Sequence, residues 1–217
     1  MTELLVCAAL GIEARALRTD GLRVERVGMG VRRAGEFARR LPDSEPFDVL
    51  AVAGFGGAAF DTLRPGDVVV ASEVRRGEAV IECPWAASVA AALEQHLVAD
   101  PGAPGVSASA SVSAVVTVAD GRAPAVVVGP IATVDRIAGA ATLTRLAAEG
   151  VTTVDMESFP LVASARGRPF TVVRVVVDTP DHPLLRPSTL RAGLRARKRL
   201  RSIGTVLRDW ATALEHV

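Results

Sequence analysis

Residues 170–178 read FTVVRVVVD, and this run decides the fold class. It is apolar on both faces of a two-residue repeat, which predicts a strand covered from both sides. Two residues interrupt the pattern: Arg174 in the middle and Asp178 at the end. A charge at either place costs free energy unless something pairs with it or uses it. Similar runs precede it: ELLVCAA (3–9), LRVERVG (22–28), DVLAVAG (48–54), DVVVAS (67–72), AVVVG (125–129) and TTVDM (152–156). Helical patterns lie between and after them at 11–18, 31–41, 84–98, 136–149, 157–167 and about 188–214. Breakers fall at Pro42, Pro46, Pro65-Gly66 and Pro169. The alternation predicts an α/β fold, a three-layer α-β-α sandwich with a mainly parallel central sheet. No linker divides the chain, so one domain over 1–217 is expected.

Composition excludes several classes. Hydrophobic residues make up 49% and charged residues 23% of 217, enough for a core and unlike a disordered chain. A net charge of +1 argues against a protein built to grip nucleic acid. Cys7 and Cys83 are far apart and outside any CxxC pattern, which fits a reducing compartment without a zinc site. The opening MTELLVCAALGIEA lacks a basic leader region, and no apolar run reaches the length of a membrane span. The cytoplasm is the expected compartment. The Ser/Ala/Gly/Pro-rich stretch 100–114 reads as a surface loop. The last helix carries Arg191, Arg195, Arg197, Lys198, Arg199 and Arg201 beside an apolar stripe of Leu190, Leu194, Leu200, Ile203 and Leu207. That pattern suits a docking helix with a solvated face, or peripheral contact with an anionic membrane.

In an open α/β sheet, ligands bind beyond the carboxyl ends of the strands. The residues expected there are Gly11 and Glu13, Gly28-Met29-Gly30, Gly54-Phe55-Gly56-Gly57, Gly129-Pro130 with Thr133-Val134, Asp155-Met156-Glu157-Ser158, and Asp178. Glycine turns with several carboxylates, and neither a His nor a Cys nucleophile, point to acid/base cleavage of a bond in a polyhydroxyl ligand. Each acid also has a plain structural role available. Glu13 and Glu157 suit the first turn of a helix, and Asp178-Thr179-Pro180 suits a turn. GFGGAA (54–59) also fits a dinucleotide-binding pattern, with Glu73 downstream, but Pro65-Gly66 cuts off the crossover helix that such a unit needs.

Taken in order, AALGIEARAL, VGMGVRRAGEFA, VAGFGGAAFDTLRPGDVVVAS, VDMES and VVRVVVD resemble the nucleoside phosphorylase/nucleosidase superfamily. The likeness is to the branch of methylthioadenosine/S-adenosylhomocysteine nucleosidases and futalosine hydrolases. It implies an N-ribosyl hydrolase acting on a purine nucleoside, with no metal or cofactor. It implies that Asp178 protonates N7 of the leaving purine and that Glu13 activates water. Glu157 would hold the ribose hydroxyls and Met156 would pack on ribose or base. Thr133 and Val134 would lie at the base, and Gly54 and Phe55 at sugar or base. Arg174 belongs to the same substrate-binding set, ordering a carboxylate rather than touching the ligand. A homodimer is implied as well.

The chain departs from the pattern where relatives place a stacking aromatic, since Thr133 stands there and the chain has no Tyr. It is similar to the hopanoid-associated phosphorylase-like branch in compact size, in the form of DMES (155–158) and in its Arg-rich tail. That resemblance implies adenine release from adenosylhopane. Glu13 suits neutral water and would repel phosphate, so hydrolysis is expected over phosphorolysis. A phosphorylase, or a nucleoside-binding protein without turnover, is the alternative.

Overall fold

The computed structural model describes residues 2–19, 21–44, 46–98, 125–178 and 189–216. In chain order the elements are β1 (Leu4–Ala8), α1 (Gly11–Leu17), β2 (Arg23–Arg26), α2 (Val31–Ser44), β3 (Val49–Ala58), β4 (Val68–Arg76), β5 (Ala79–Glu82) and α3 (Ala86–Val98). They continue with β6 (Val126–Thr133), α4 (Ala140–Ala148), β7 (Thr153–Asp155), α5 (Ser158–Ala163), β8 (Phe170–Asp178) and α6 (Thr189–Ala213). The stretch 100–114, expected as a loop, lies outside the described residues.

The alternation of strand residues sorts the core. Leu4, Val6 and Ala8 of β1 pack with α1, α3 and α6 on one face, while Leu5 and Cys7 pack with α2 and α5 on the other. β8 divides the same way, with Val173 and Val175 on the first face and Val172 and Val176 on the second. Helices therefore cover both faces, and the doubly apolar strands are explained. In α6, Leu200, Ile203 and Leu207 are fully buried, so this part of the apolar stripe docks, while the side chains of Leu190 and Leu194 lie outside the described residues. Gly204 lets α6 approach α1 closely, because a Cβ there would lie 2.6 Å from the Leu17 carbonyl oxygen. Among the described residues no helix is long and apolar enough to cross a membrane.

The expectation of a mainly parallel sheet needs correction, because the sheet is mixed. β1–β2, β1–β3, β3–β8, β4–β6 and β6–β7 pair in parallel, whereas β3–β7, β4–β5 and β4–β8 are antiparallel. These pairings close a ring, β3–β8–β4–β6–β7 and back to β3. The closure comes from long strands that change partners. β3 pairs with β8 from Leu50 to Gly57, with a register shift at Gly56/Gly57, while its other edge pairs first with β1 at Val49–Val52 and then with β7 at Gly57 and Ala58. β4 has a similar irregularity between Ala71 and Val74. Such bulges bend a strand and re-aim its side chains. The hairpin strand β5 was not anticipated from the sequence.

Gly54–Ala58 also differs from expectation. It continues β3 and is not a turn after it. Glycine is required there by crowding: a Cβ on Gly56 would lie 2.6 Å from Thr153 Cγ2. The dinucleotide reading of GFGGAA therefore loses its turn as well as its helix.

Candidate active site

The ends of β1, β3, β7 and β8, with the turn before α2, surround a cavity of about 210 Å³. Glu13, Asp155 and Glu157 supply its acidic groups, and Met29, Val134, Ile137, Leu143, Val154 and Val177 are among its apolar walls.

Glu13 lies in the first turn of α1, three residues after Leu10. Its Oε2 accepts the Leu10 N–H at 2.7 Å, the structural role that its position predicts. Its Oε1 accepts the Phe55 N–H of β3, also at 2.7 Å. The carboxylate is thus clamped between two elements, and Glu13 is only 2% exposed. Burial raises its pKa, opposed by the Phe55 N–H, Arg174 and the Leu10 N–H.

Arg174 shares the β8 face of Val172 and Val176, towards α5, and is 1% exposed. Its Nε donates to Asp155 Oδ2 at 2.9 Å, with Nη2 at the same distance from that oxygen. Nη2 also donates to Ser158 Oγ at 2.8 Å and stands 4.0 Å from Glu157 Oε2. Asp155 collects further donors. Thr133 Oγ1 donates to its Oδ1 at 2.8 Å, and the Glu157 and Ser158 N–H groups do so at 3.1 Å. The Ser158 hydroxyl donates to its other oxygen. Burial works against the Asp155 charge, but Arg174 and these hydrogen bonds outweigh it and hold the pKa below the usual carboxylate range.

Glu157 immediately follows the turn after β7 and precedes α5. Its Oε1 accepts the Gly30 N–H at 2.7 Å, tying this turn to the one before α2. Gly28 and Gly30 have φ of 84° and 99°, so that turn needs glycine. Glu157 is 5% exposed, and burial raises its pKa against the pull of Arg174 and the Gly30 N–H.

The sequence-derived residues divide into two groups. Glu13, Phe55, Val134, Met156 and Glu157 line the cavity. Gly54, Thr133 and Arg174 do not; they stand behind it. Thr133, expected at the base, turns its hydroxyl to Asp155 and accepts the Phe159 N–H at 2.9 Å. A Cβ on Gly54 would meet both Arg174 Nη1 and Glu13 Oε1 at 2.8 Å, so that glycine makes room for the pair. The Asp178 backbone closes β8 opposite Gly57 of the wall, and its side chain lies outside the described residues. Asp155 was visible only as part of a motif; its bond to Arg174 could have been suspected from two charges in neighbouring apolar strands. Met29 of the wall was expected beyond a strand end, whereas Ile137 carried no signal. Among the described residues, no group of three His, Cys, Asp or Glu could hold a metal ion.

The same arrangement of elements occurs in solved structures. S-adenosylhomocysteine nucleosidase from Streptococcus pyogenes, in complex with 5-methylthiotubericidin, is 19% identical with a TM-score of 0.64, over 93% of this chain and 95% of that one. Futalosine hydrolase of Helicobacter pylori is 13% identical with a TM-score of 0.69, over 96% and 97%. The 5′-methylthioadenosine/S-adenosylhomocysteine nucleosidase of Colwellia psychrerythraea, in complex with adenine, is 18% identical with a TM-score of 0.64, over 95% and 96%. At such identities the likeness is one of fold. No curated protein matches the chain. The family model of the phosphorylase superfamily matches residues 21–207, which include the Gly30 turn, the DMES segment and all of β8, and the chain belongs to that superfamily.

Proposed function

We propose that this protein is an N-ribosyl hydrolase that releases adenine or a related purine from a 5′-substituted nucleoside. One observation carries the proposal: two buried carboxylates, Glu13 and Glu157, face one cavity and are each held by backbone N–H groups from a distant turn or strand. Water attacks C1′ and gives a proton to Glu13. The C1′–N9 bond breaks with its electron pair going to the base, and Asp178 protonates N7. Glu157 accepts hydrogen bonds from the 2′ and 3′ hydroxyls and stabilises the positive charge developing on the sugar. Met156 and Phe55 pack on sugar or base, and Val134 on the base. The solved structures of similar fold, named as nucleosidases and a hydrolase, support the reaction class.

The 5′ group is open to two readings. Met29 and Ile137 line the cavity yet are 50% and 70% exposed, which favours an apolar substituent such as that of adenosylhopane, or cover by a second subunit of a homodimer. A cytoplasmic enzyme with peripheral membrane contact through α6 would suit the lipid case.

The test is base release from methylthioadenosine, adenosine, aminofutalosine and a 5′-alkyl adenosine, with and without phosphate. Release without phosphate is expected, falling roughly 10²–10⁴-fold in Asp178→Asn, the range for a positioned acid. Release only with phosphate would make the protein a phosphorylase. Tight binding without release would make it a binding module.

A further inference from the structure

A second cavity, of about 430 Å³, adjoins the first and shares Ala9, Leu10 and Met29 with it. Its remaining walls are Gly11, Arg26, Gly28 and Arg33. Arg26 ends β2 and Arg33 lies in the first turn of α2, so two cations from different elements meet at one opening. Neither side chain has a hydrogen bond or ion pair among the described residues. Both stems run over glycine. A Cβ on Gly28 would lie 2.8 Å from Arg33 Cδ, and one on Gly11 would lie 3.7 Å from Arg26 Nη1. At Gly28 a side chain would displace Arg33 as well as strain the turn. The opening residues of α2 add the partial positive charge of a helix start.

We propose that this cavity binds an oxyanion, a phosphate or carboxylate, carried on the 5′ substituent of the substrate. The assignment rests on the nucleoside reading above and takes the second account of exposed Met29 and Ile137, cover by another subunit, in place of an apolar 5′ substituent. Glu157 takes the ribose hydroxyls and the first cavity takes the base, so C5′ is the remaining exit from the sugar. The shared residues Leu10 and Met29 lead that exit to the two arginines. Glu13 is absent from this second cavity, so an anion held there is away from the attacking position. It is a substituent and not a nucleophile. Planar guanidinium groups suit phosphate and carboxylate.

The experiment measures binding and base release for AMP, adenosine and a 5′-alkyl adenosine, in wild type and in Arg26→Gln/Arg33→Gln. Wild type should favour AMP over adenosine by at least about tenfold, the scale of a charge-assisted hydrogen bond or two. The double variant should bring that ratio close to one. Inorganic phosphate should compete with AMP without entering the product. Equal affinity for AMP and adenosine, a preference for the alkyl nucleoside, or an AMP preference surviving in the double variant would overturn the proposal. Ribose 1-phosphate formed from added phosphate would instead make the anion a nucleophile and also overturn it. Arginine-dependent preference in AMP binding without any base release would sink the hydrolase reading and leave the oxyanion cavity standing.

Discussion

Arg174→Met tests the charge arrangement that organises the site. In wild type one fully buried guanidinium faces Asp155, with Glu157 4.0 Å away and Glu13 beside it at Gly54. Methionine fills much of the volume but strips Asp155 of its cation. Removing one partner of a buried ion pair costs about 3–5 kcal/mol, because the other charge stays buried and uncompensated. For a chain of this size that is a fall in Tm of roughly 6–20 °C. The loss should depend on pH. In wild type the Asp155 pKa is depressed, so its contribution is present above the unfolded value and lost as pH falls through the folded one. In the variant, burial is opposed only by the hydrogen bonds from Thr133, Ser158 and the Glu157 N–H, and that pKa rises. Asp155 then destabilises the fold at neutral pH and recovers as it is protonated. The stability gap between wild type and Arg174→Met should therefore narrow as pH is lowered from 7.5 towards 5, measured by urea unfolding. Asp155→Asn added to Arg174→Met should restore part of the loss at pH 7.5. A cost below about 1 kcal/mol that is the same at both pH values would refute the reasoning, since a buried charge without a partner cannot be that cheap.

Three further outcomes follow from the geometry. Burial raises the Glu13 pKa, and the proposed general base must be ionised, so kcat/KM should fall with decreasing pH at a point above the ordinary glutamate value of about 4.3. Glu13→Gln should abolish that acid limb in a base-release assay, and a limb at or below the ordinary value would remove Glu13 from the role. Gly54→Ala brings a methyl to 2.8 Å from both Glu13 Oε1 and Arg174 Nη1, and should cost on the order of 10² in kcat by displacing the base, with the far-UV spectrum unchanged; full activity would contradict it. Gly204→Ala drives a methyl against the Leu17 carbonyl and should cost about 1–3 kcal/mol in urea unfolding, with activity per folded molecule retained.

The layered architecture was legible because its cause is local. A strand apolar on both faces must be covered on both faces, and β1 and β8 show this residue by residue. The ring was not legible, because its cause is a change of partner within β3 and β4. GFGG reads as a turn by composition, and nothing in the string says that the chain runs straight through it. The crowding that demands glycine comes from Thr153, Glu13 and Arg174, distant in sequence. Site residues followed the same division. Glu13 and Glu157 were found from their places at helix starts after strands. Thr133 was expected at the base, yet its position beside Asp155 lets its hydroxyl satisfy a buried charge instead.

The local structural roles of these acids and the proposed chemistry support each other. Glu13 does stabilise a helix start through the Leu10 N–H, and Glu157 does stabilise a glycine turn through the Gly30 N–H. Glu157 spends one oxygen on that bond, and Glu13 gives its second oxygen to the Phe55 N–H. Asp155 sits against Nε and Nη2 of Arg174 and takes most of its charge, as its lowered pKa reflects. The other two carboxylates are left with backbone N–H groups and a more distant cation, and burial dominates their pKa values. One cation shared unequally among three acids thus separates a fixed anion, which holds the framework, from two basic carboxylates that face the cavity. A carboxylate raised by burial takes a proton from water more readily than an ordinary one, and one poised near a developing sugar cation gains most when that charge appears. Arg174, one of two charges that interrupt an apolar strand, is therefore what makes Glu13 and Glu157 chemically different from Asp155.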